Sequence, residues 1–403
     1  MRVLFLLLLL SAFLFSLDVS GKLEMLDSAY KDMYPNKKDF YARNIWDIKE
    51  FEGKLYIGAG NSSNIGPAQN AGPLPLISYN PSTKEFKQES IIHDEQIDTI
   101  KTFQNKLYIP GHDATQNWDY ANIYIKEPNK NLKKYRNIKD GLHVYDIAFY
   151  DGKIFAALGT KKGAAVAVSS NDAQNWDIQH LKHYRIYSFL KVGERLFAIK
   201  FFPSPKDFQK MSTKRKKEFF SVAEYKKNSF EPRYDLGFKD FFPETKNIDN
   251  ASKKIIRAIK IDKKSIYIGA FSHNDHQSIP FGVYIAQSTG NELISKRVAL
   301  PEGEAVWDTL YKDNKVYLLS YNKIKKRITI FLATDNNPDT FKEYISFHSN
   351  SFARSFEYIN DIFYFSVGSE IKDPKNFTYD EIDKDTGKIL IFDTKYLTNQ
   401  KQG

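Results

Sequence analysis

Ile45 to Gly60 reads IWDIKEFEGKLYIGAG: a short apolar strand, a tight polar turn at Glu52-Gly53, and a second strand opening on the aliphatic-aromatic pair Leu55-Tyr56. The same pattern returns as IDTIKTFQNKLYIPG from Ile97, VYDIAFYDGKIFAALG from Val144 and IYSFLKVGERLFAIK from Ile186. It returns again as IRAIKIDKKSIYIGA from Ile256, VWDTLYKDNKVYLLS from Val306 and FARSFEYINDIFYFS from Phe352. The aliphatic of the pair falls at Leu55, Leu107, Ile154, Leu196, Ile266, Val316 and Ile362, so successive copies lie 52, 47, 42, 70, 50 and 46 residues apart. Each copy continues through a third strand, a polar turn and a fourth strand, as in PLISYNPSTKEFKQE from Pro75. A repeat of about 40–50 residues built from four strands is the unit of a propeller. The fold class is therefore all-β, a seven-bladed β-propeller of four-stranded antiparallel blades.

The last copy supplies a third strand, KILIFDTKYL from Lys388, but little chain beyond it. An open sheet edge invites aggregation. The segment KLEMLDS from Lys22 is expected to add the missing outer strand, so that N- and C-terminal segments share the last blade. No Cys occurs in the 403 residues, so closure and cohesion rest on burial and hydrogen bonding alone. That composition suits a bacterial periplasm or surface better than a disulfide-stapled secreted fold.

Residues 1–21 read as a signal peptide: Arg2 precedes the apolar run Val3–Phe15, and Val19-Ser20-Gly21 offers small residues for cleavage. The run is short for a membrane span of about 20 residues, so no integral span is expected after removal. The organisation is then signal peptide 1–21, closing segment 22–42 and propeller 43–397, with basic insertions 203–217 and 235–254 in blade four. The net charge is +10, and residues 206–254 hold 13 Lys/Arg against 8 Asp/Glu. An acidic partner fits this balance, whereas an exported chain excludes nucleic acid. Lys214-Arg215-Lys216-Lys217 is read as a basic arm.

Ser169-Ser170-Asn171-Asp172-Ala173-Gln174-Asn175-Trp176 resembles the Asp-box of sialidase-like propellers, a Ser-x-Asp-x-Gly-x-Thr-Trp turn between third and fourth strands. Asn171, Ala173 and Asn175 replace the Asp, Gly and Thr, and Trp176 is expected to be its buried aromatic. In such families the box is structural and lies away from the active site, so the resemblance speaks for the fold. Sialidases clamp a sugar carboxylate with three Arg, beside a Tyr–Glu nucleophile and an Asp acid/base. Arg43, Arg185, Arg257 and Arg354 lie at or near the starts of inner strands, and Tyr145 and Tyr187 within them. However, Arg43 is followed by Asn44-Ile45-Trp46, not by the family's Arg-Ile/Leu-Pro start, and no catalytic role carries over. These Arg are read as partners for Asp98, Asp146 or Asp308 between blades. The aromatic-Asp steps Trp46-Asp47, Tyr145-Asp146 and Trp307-Asp308 recur, which is the mark of a structural hydrogen bond.

Loops entering the first strands and loops joining second to third strands meet at one mouth of a propeller channel. The candidate ligand-binding residues there are His112, Asp113, His143, Arg185, His273, His276 and Glu304. Arg43, Glu95, Lys254, Asn61 and Asp275 fall in the same loops. His273-Asn274-Asp275-His276 lacks the fixed spacing that a helix gives a zinc motif, and no metal site or cofactor is expected. The acidic loop from Gly368 to Gly387 lacks the glycine and terminal Glu of a calcium loop. Three function classes stay open: an envelope binding propeller for an anionic glycan or other acidic ligand, a glycan-cleaving hydrolase or lyase of sialidase-like type using His112, His143 and His273 with a nearby Tyr, and a scaffold for a protein partner.

Overall fold

The computed structural model describes residues 17–62, 68, 70–181, 185–200, 210–214, 221–246, 252–272, 278–370 and 377–399. Seven blades of four antiparallel strands stand around a central channel, blade six carrying a fifth, parallel strand at its outer edge, and the chain runs outward through each of the first six before passing to the next. Blade one is built from Ile45–Phe51, Lys54–Ala59, Leu74–Asn80 and Glu85–Ile92. Blades three to six repeat this order from Gly141–Tyr150, Ile186–Val192, Ser252–Ile261 and Glu304–Lys312 as their innermost strands. Residues on both faces of the second and third strands are buried, because each sheet is sandwiched between neighbours. Leu55, Leu107, Leu196, Ile266 and Val316, the aliphatics that set the repeat, have no exposed surface.

The ring closes as the missing strand requires. Glu24–Leu26 pairs antiparallel with Ile389–Asp393, giving blade seven its outermost strand around Ala353–Ile359 and Ile362–Val367. Downstream, the buried Tyr30 hydroxyl donates to the carbonyls of Ile57 (3.2 Å) and Pro75 (3.1 Å) of blade one. One chain segment therefore grips both sides of the seam. A second contact lies further upstream: Leu17–Asp18 runs parallel to Ile345–Ser346 on blade six, and Val19 is buried against that blade's core. These packed residues lie within the segment 1–21 that the sequence reads as a signal peptide.

Blade two departs from the repeat. Its innermost strand is only Lys101–Phe103, and Ile97–Ile100 stays outside the ladder. Just upstream, Asp94–Gln96 pairs with His112–Ala114 in a separate two-stranded ribbon, which Gly60 joins by a bridge to Gln96. Gly111 makes the ribbon possible: a Cβ there would stand 2.7 Å from both the Asn122 carbonyl and an Asp94 carboxylate oxygen.

The turn at 169–176 closes on itself. Asn171 Oδ1 accepts from the Ser169 hydroxyl and the Asn175 amide, both at 3.0 Å, which is the work of the replaced Asp. Trp176 is half-buried rather than fully buried, because its indole leans across to blade two and donates to Asn137 Oδ1 at 2.9 Å. The basic arm lies outside the described residues apart from Lys214. In the second insertion the short helix Phe238–Phe241, with Phe242, is anchored by three buried rings against blades four and five.

Two outcomes follow from this packing. A domain of this size loses about 2 °C of melting temperature per kcal/mol, and deleting Lys22–Ser28 removes three ladder pairs and uncovers a sheet edge. The truncated chain should melt several degrees lower by calorimetry; an unchanged midpoint would contradict closure through this segment. Trp176→Ala should cost about 2 kcal/mol in chemical denaturation, less than a fully buried Trp because the ring is half exposed. A cost within about 0.5 kcal/mol of zero, the range of an ordinary surface substitution, would show that the turn does not tie blade three to blade two.

Candidate functional site

The innermost strands line a channel cavity of about 800 Å³. Its middle is a girdle in which side chains of one blade accept the backbone N–H of the next. Ile100 donates to Asp47 (2.7 Å), Phe189 to Asp146 (2.8 Å), and Phe356 to Asp308 (3.1 Å). Ser188 and Ser355 take the same part, accepting from Ile255 (3.0 Å) and Ile48 (3.3 Å). Arg257 crosses the channel from blade five and pairs with Asp47 at 3.2 Å and Asp308 at 3.1 Å. Burial raises the Asp308 carboxyl against the opposing pull of Arg257. The recurring Asp is thus an inter-blade acceptor.

At the end of the channel where the inner strands begin, the two-stranded ribbon delivers His112 and Asp113 to the cavity wall. Asp113 adopts φ of +63°, a left-handed conformation that costs energy in a residue other than glycine. Its carboxylate lies against His143 Nδ1, and its other oxygen is 3.5 Å from His112 Nε2. His143 stacks on Tyr145, with ring centroids 5.0 Å apart and planes at 26°. Tyr145 meets Tyr187 edge-on at 4.4 Å. Arg185 Nη1 donates to the Tyr145 hydroxyl at 2.6 Å. The structure therefore brings together His112, Asp113, His143 and Arg185, which are up to 73 positions apart in sequence.

The electrostatics of this cluster follow from its burial. His143 is held below the ordinary His value of 6.5 by desolvation, which outweighs the pull of Asp113. Burial would raise the Asp113 carboxyl, but His143, His112 and Arg185 bring it below its usual range. Tyr145 is raised far above an ordinary phenol by burial, so it is a neutral donor at any physiological pH. Lys254 is lowered by burial despite Asp98, whose own carboxyl is kept low by Lys254, His112 and Arg354. A neutral imidazole oriented by a carboxylate, beside a phenol and a guanidinium, can bind an oxyanion or move a proton.

The remaining expected residues lie elsewhere. Glu304 is bound within blade six by the Ser320 hydroxyl and by Asn322 Nδ2 (3.2 Å), and does not line the cavity. Arg43 donates to the Tyr34 carbonyl at 2.8 Å and also stays away from it. His273, Asp275 and His276 lie outside the described residues. Glu95, Asn61 and Lys254 do line the cavity. Trp118 was missed: it stands at the rim with 53% of its surface exposed, fixed by its indole N–H to the Ala114 carbonyl at 3.1 Å. A Trp in a polar loop with no counterpart in the other repeats was the available signal. Among the described residues, no three His, Asp or Glu converge as metal ligands.

No protein family model and no curated protein matches this chain. Among solved structures, the WD40 domain of Neurospora crassa Pan2 superposes with a TM-score of 0.53 at 9% identity, covering 93% of this chain and 96% of that one. The β-propeller domain of the Trilobed protease from Pyrococcus furiosus (TM-score 0.47, 9% identity, 81% and 91% covered) is similar. So is the periplasmic gluconolactonase of Pseudomonas aeruginosa (TM-score 0.48, 10% identity, 77% and 88% covered). At such identities the likeness is one of propeller fold. The sialidase resemblance remains confined to the turn at 169–176.

The pH behaviour of the cluster can be measured directly. His143 should titrate below 6.5 in a histidine-resolved NMR series, and Asp113→Asn should lower it further by leaving desolvation unopposed. A depressed folded value means that the unfolded chain takes up the proton first. The associated stability is therefore present above 6.5 and is lost as pH falls through the folded value. A titration at or above 6.5 would contradict a desolvated His143.

Proposed function

We propose that this chain is an exported propeller of the cell envelope that binds an acidic glycan at the end of the channel where the inner strands begin. The reading is carried by one juxtaposition. A solvent-exposed indole, Trp118, stands at the rim of a cavity whose wall presents the Arg185 guanidinium on two phenols, with His112 and Lys254 nearby. Sugar rings present apolar faces that aromatic side chains cover, while guanidinium and phenol donors suit their acid groups. Export rests on the N-terminal apolar run, and cleavage ahead of Leu17 would preserve the strand on blade six. Among the described residues no helix is long and apolar enough to cross a membrane.

A second reading, cleavage of that glycan, is favoured by the Asp113–His143 contact beside Tyr145. That is the pairing of an orienting carboxylate with a neutral imidazole which a general base requires. It would make the same mouth a hydrolase or lyase site. A protein-scaffold role has no comparable local feature.

A pull-down with acidic polysaccharides tests the first reading and separates it from the second. Capture should weaken as salt rises from about 0.1 M to 1 M, where the screening length falls from about 10 Å to about 3 Å. Trp118→Ala and Arg185→Gln should each weaken it by roughly threefold to tenfold. Equal capture by the variants and the parent would remove this mouth as the binding site. Time-dependent loss of chain length by the parent protein, abolished in His143→Ala, would replace binding by cleavage.

A further inference from the structure

Arg354 lines the channel, yet its guanidinium meets aromatic faces there and no acceptor. In blades one and six the residue before the inter-blade acceptor is an indole: Trp46 precedes Asp47 and Trp307 precedes Asp308. In blade seven the acceptor is Ser355, and a guanidinium stands in front of it. Arg257 satisfies two carboxylates and Arg185 a phenol, whereas Arg354 makes no hydrogen bond or ion pair with any described residue. Its Nε is buried without an acceptor. Its Cζ lies 4.1 Å from the centroid of Trp46, 4.9 Å from that of Trp307 and 5.1 Å from that of Phe352. Aromatic faces attract a cation but offer no acceptor to the N–H donors in its plane. Asp98, the carboxylate that acts on it most, is already shared with Lys254 and His112. A desolvated cation with no hydrogen-bonded or ion-paired partner opposes folding, and the bland alternative of a third indole was open at this position.

We propose that Arg354, with Lys254 adding charge beside it, is the receptor for a carboxylate of the ligand, at a second position in the channel besides Arg185. This rests on the acidic-glycan reading of the mouth and narrows it to uronate-type sugars carrying at least two carboxylates. Three rings crowded about the guanidinium leave its N–H edge as the approach. A planar two-oxygen group matches that edge bidentately, and a tetrahedral sulfate matches it less well.

Calorimetric binding of a short oligogalacturonate and of a short dextran sulfate tests the assignment on the mature protein, Arg354→Gln, Arg354→Lys and Arg185→Gln. Arg354→Gln should weaken oligogalacturonate about tenfold or more and change dextran sulfate by less than about threefold. Its melting temperature should hold or rise, since an unpaired buried charge is removed. Arg354→Lys should also weaken oligogalacturonate, because the fork is lost while the charge stays. If Arg185→Gln weakened binding and Arg354→Gln did not, the second position would be wrong and the mouth would stand. If the parent bound neither probe, both would fall together. Equal losses for the two probes, or full rescue by Lys, would overturn the carboxylate fork. A melting temperature lowered by several degrees in Arg354→Gln would mean that the side chain has a structural partner, and would overturn the proposal.

Discussion

Seven sheets in a ring leave seven rows of polar backbone facing a central channel, and the ion pairs of Arg257 decide whether that channel can be narrow. Asp47 and Asp308 are needed as acceptors for the N–H groups of the following blades, so two carboxylates face each other in a desolvated space. Two buried like charges at close range are untenable without a cation between them. Arg257 reaches both from blade five, and a third bond from Nη2 to the Trp46 carbonyl (3.0 Å) fixes its angle. Lys49 with Glu357 and Lys101 with Asp146 repeat the device beside it. The girdle holds the inner strands in register, and the mouth above it inherits that rigidity.

Rigidity matters because the residues at the mouth come from separate blades. His112 and Asp113 arrive on a two-stranded ribbon, His143 and Tyr145 on the entry to blade three, and Arg185 and Tyr187 on the entry to blade four. His112 and His143 are placed by backbone pairing, Tyr145 and Tyr187 sit at irregularities of their inner strands, and Arg185 directly precedes the first strand of blade four. Burial keeps the His143 imidazole and the Tyr145 phenol neutral, while His143, His112 and Arg185 hold the Asp113 carboxyl low against its own burial. An acid group entering this space meets donors that need little rearrangement to receive it.

Much of the architecture was legible because it repeats. The alternating pair Leu55-Tyr56 and its six counterparts mark second strands, and hydrophobic period plus turn chemistry is enough to count blades. The closing strand Glu24–Leu26 was legible for a different reason: the last repeat ran out of chain. Less was legible at the site. The topology of propellers placed His112, His143 and Arg185 at one mouth, but it gave Glu304 equal standing, and Glu304 is occupied by Ser320 and Asn322. Loop position says which end a residue faces and nothing about whether neighbours satisfy it. The irregularity of blade two, which moves Asp98 out of the ladder and builds the ribbon, depends on the close approach at Gly111, a three-dimensional fact. Trp118 has no counterpart in the repeat, so the pattern that counts blades does not mark it.

The closing strand also fixes an order of events. Glu24 pairs with Ile391, so a strand near the start of the described chain waits for one near its end. Loop-closure entropy grows with the logarithm of the intervening length and is rewarded only when that contact forms. A chain delivered N-terminus first therefore carries an unsatisfied strand through the formation of six blades. Until the seventh arrives, both edges of the growing ring stay available to other chains. Blade six relieves part of this exposure early: Leu17–Asp18 can dock on Ile345–Ser346 before the final strands exist, parking the N-terminal segment next to the seam it will close.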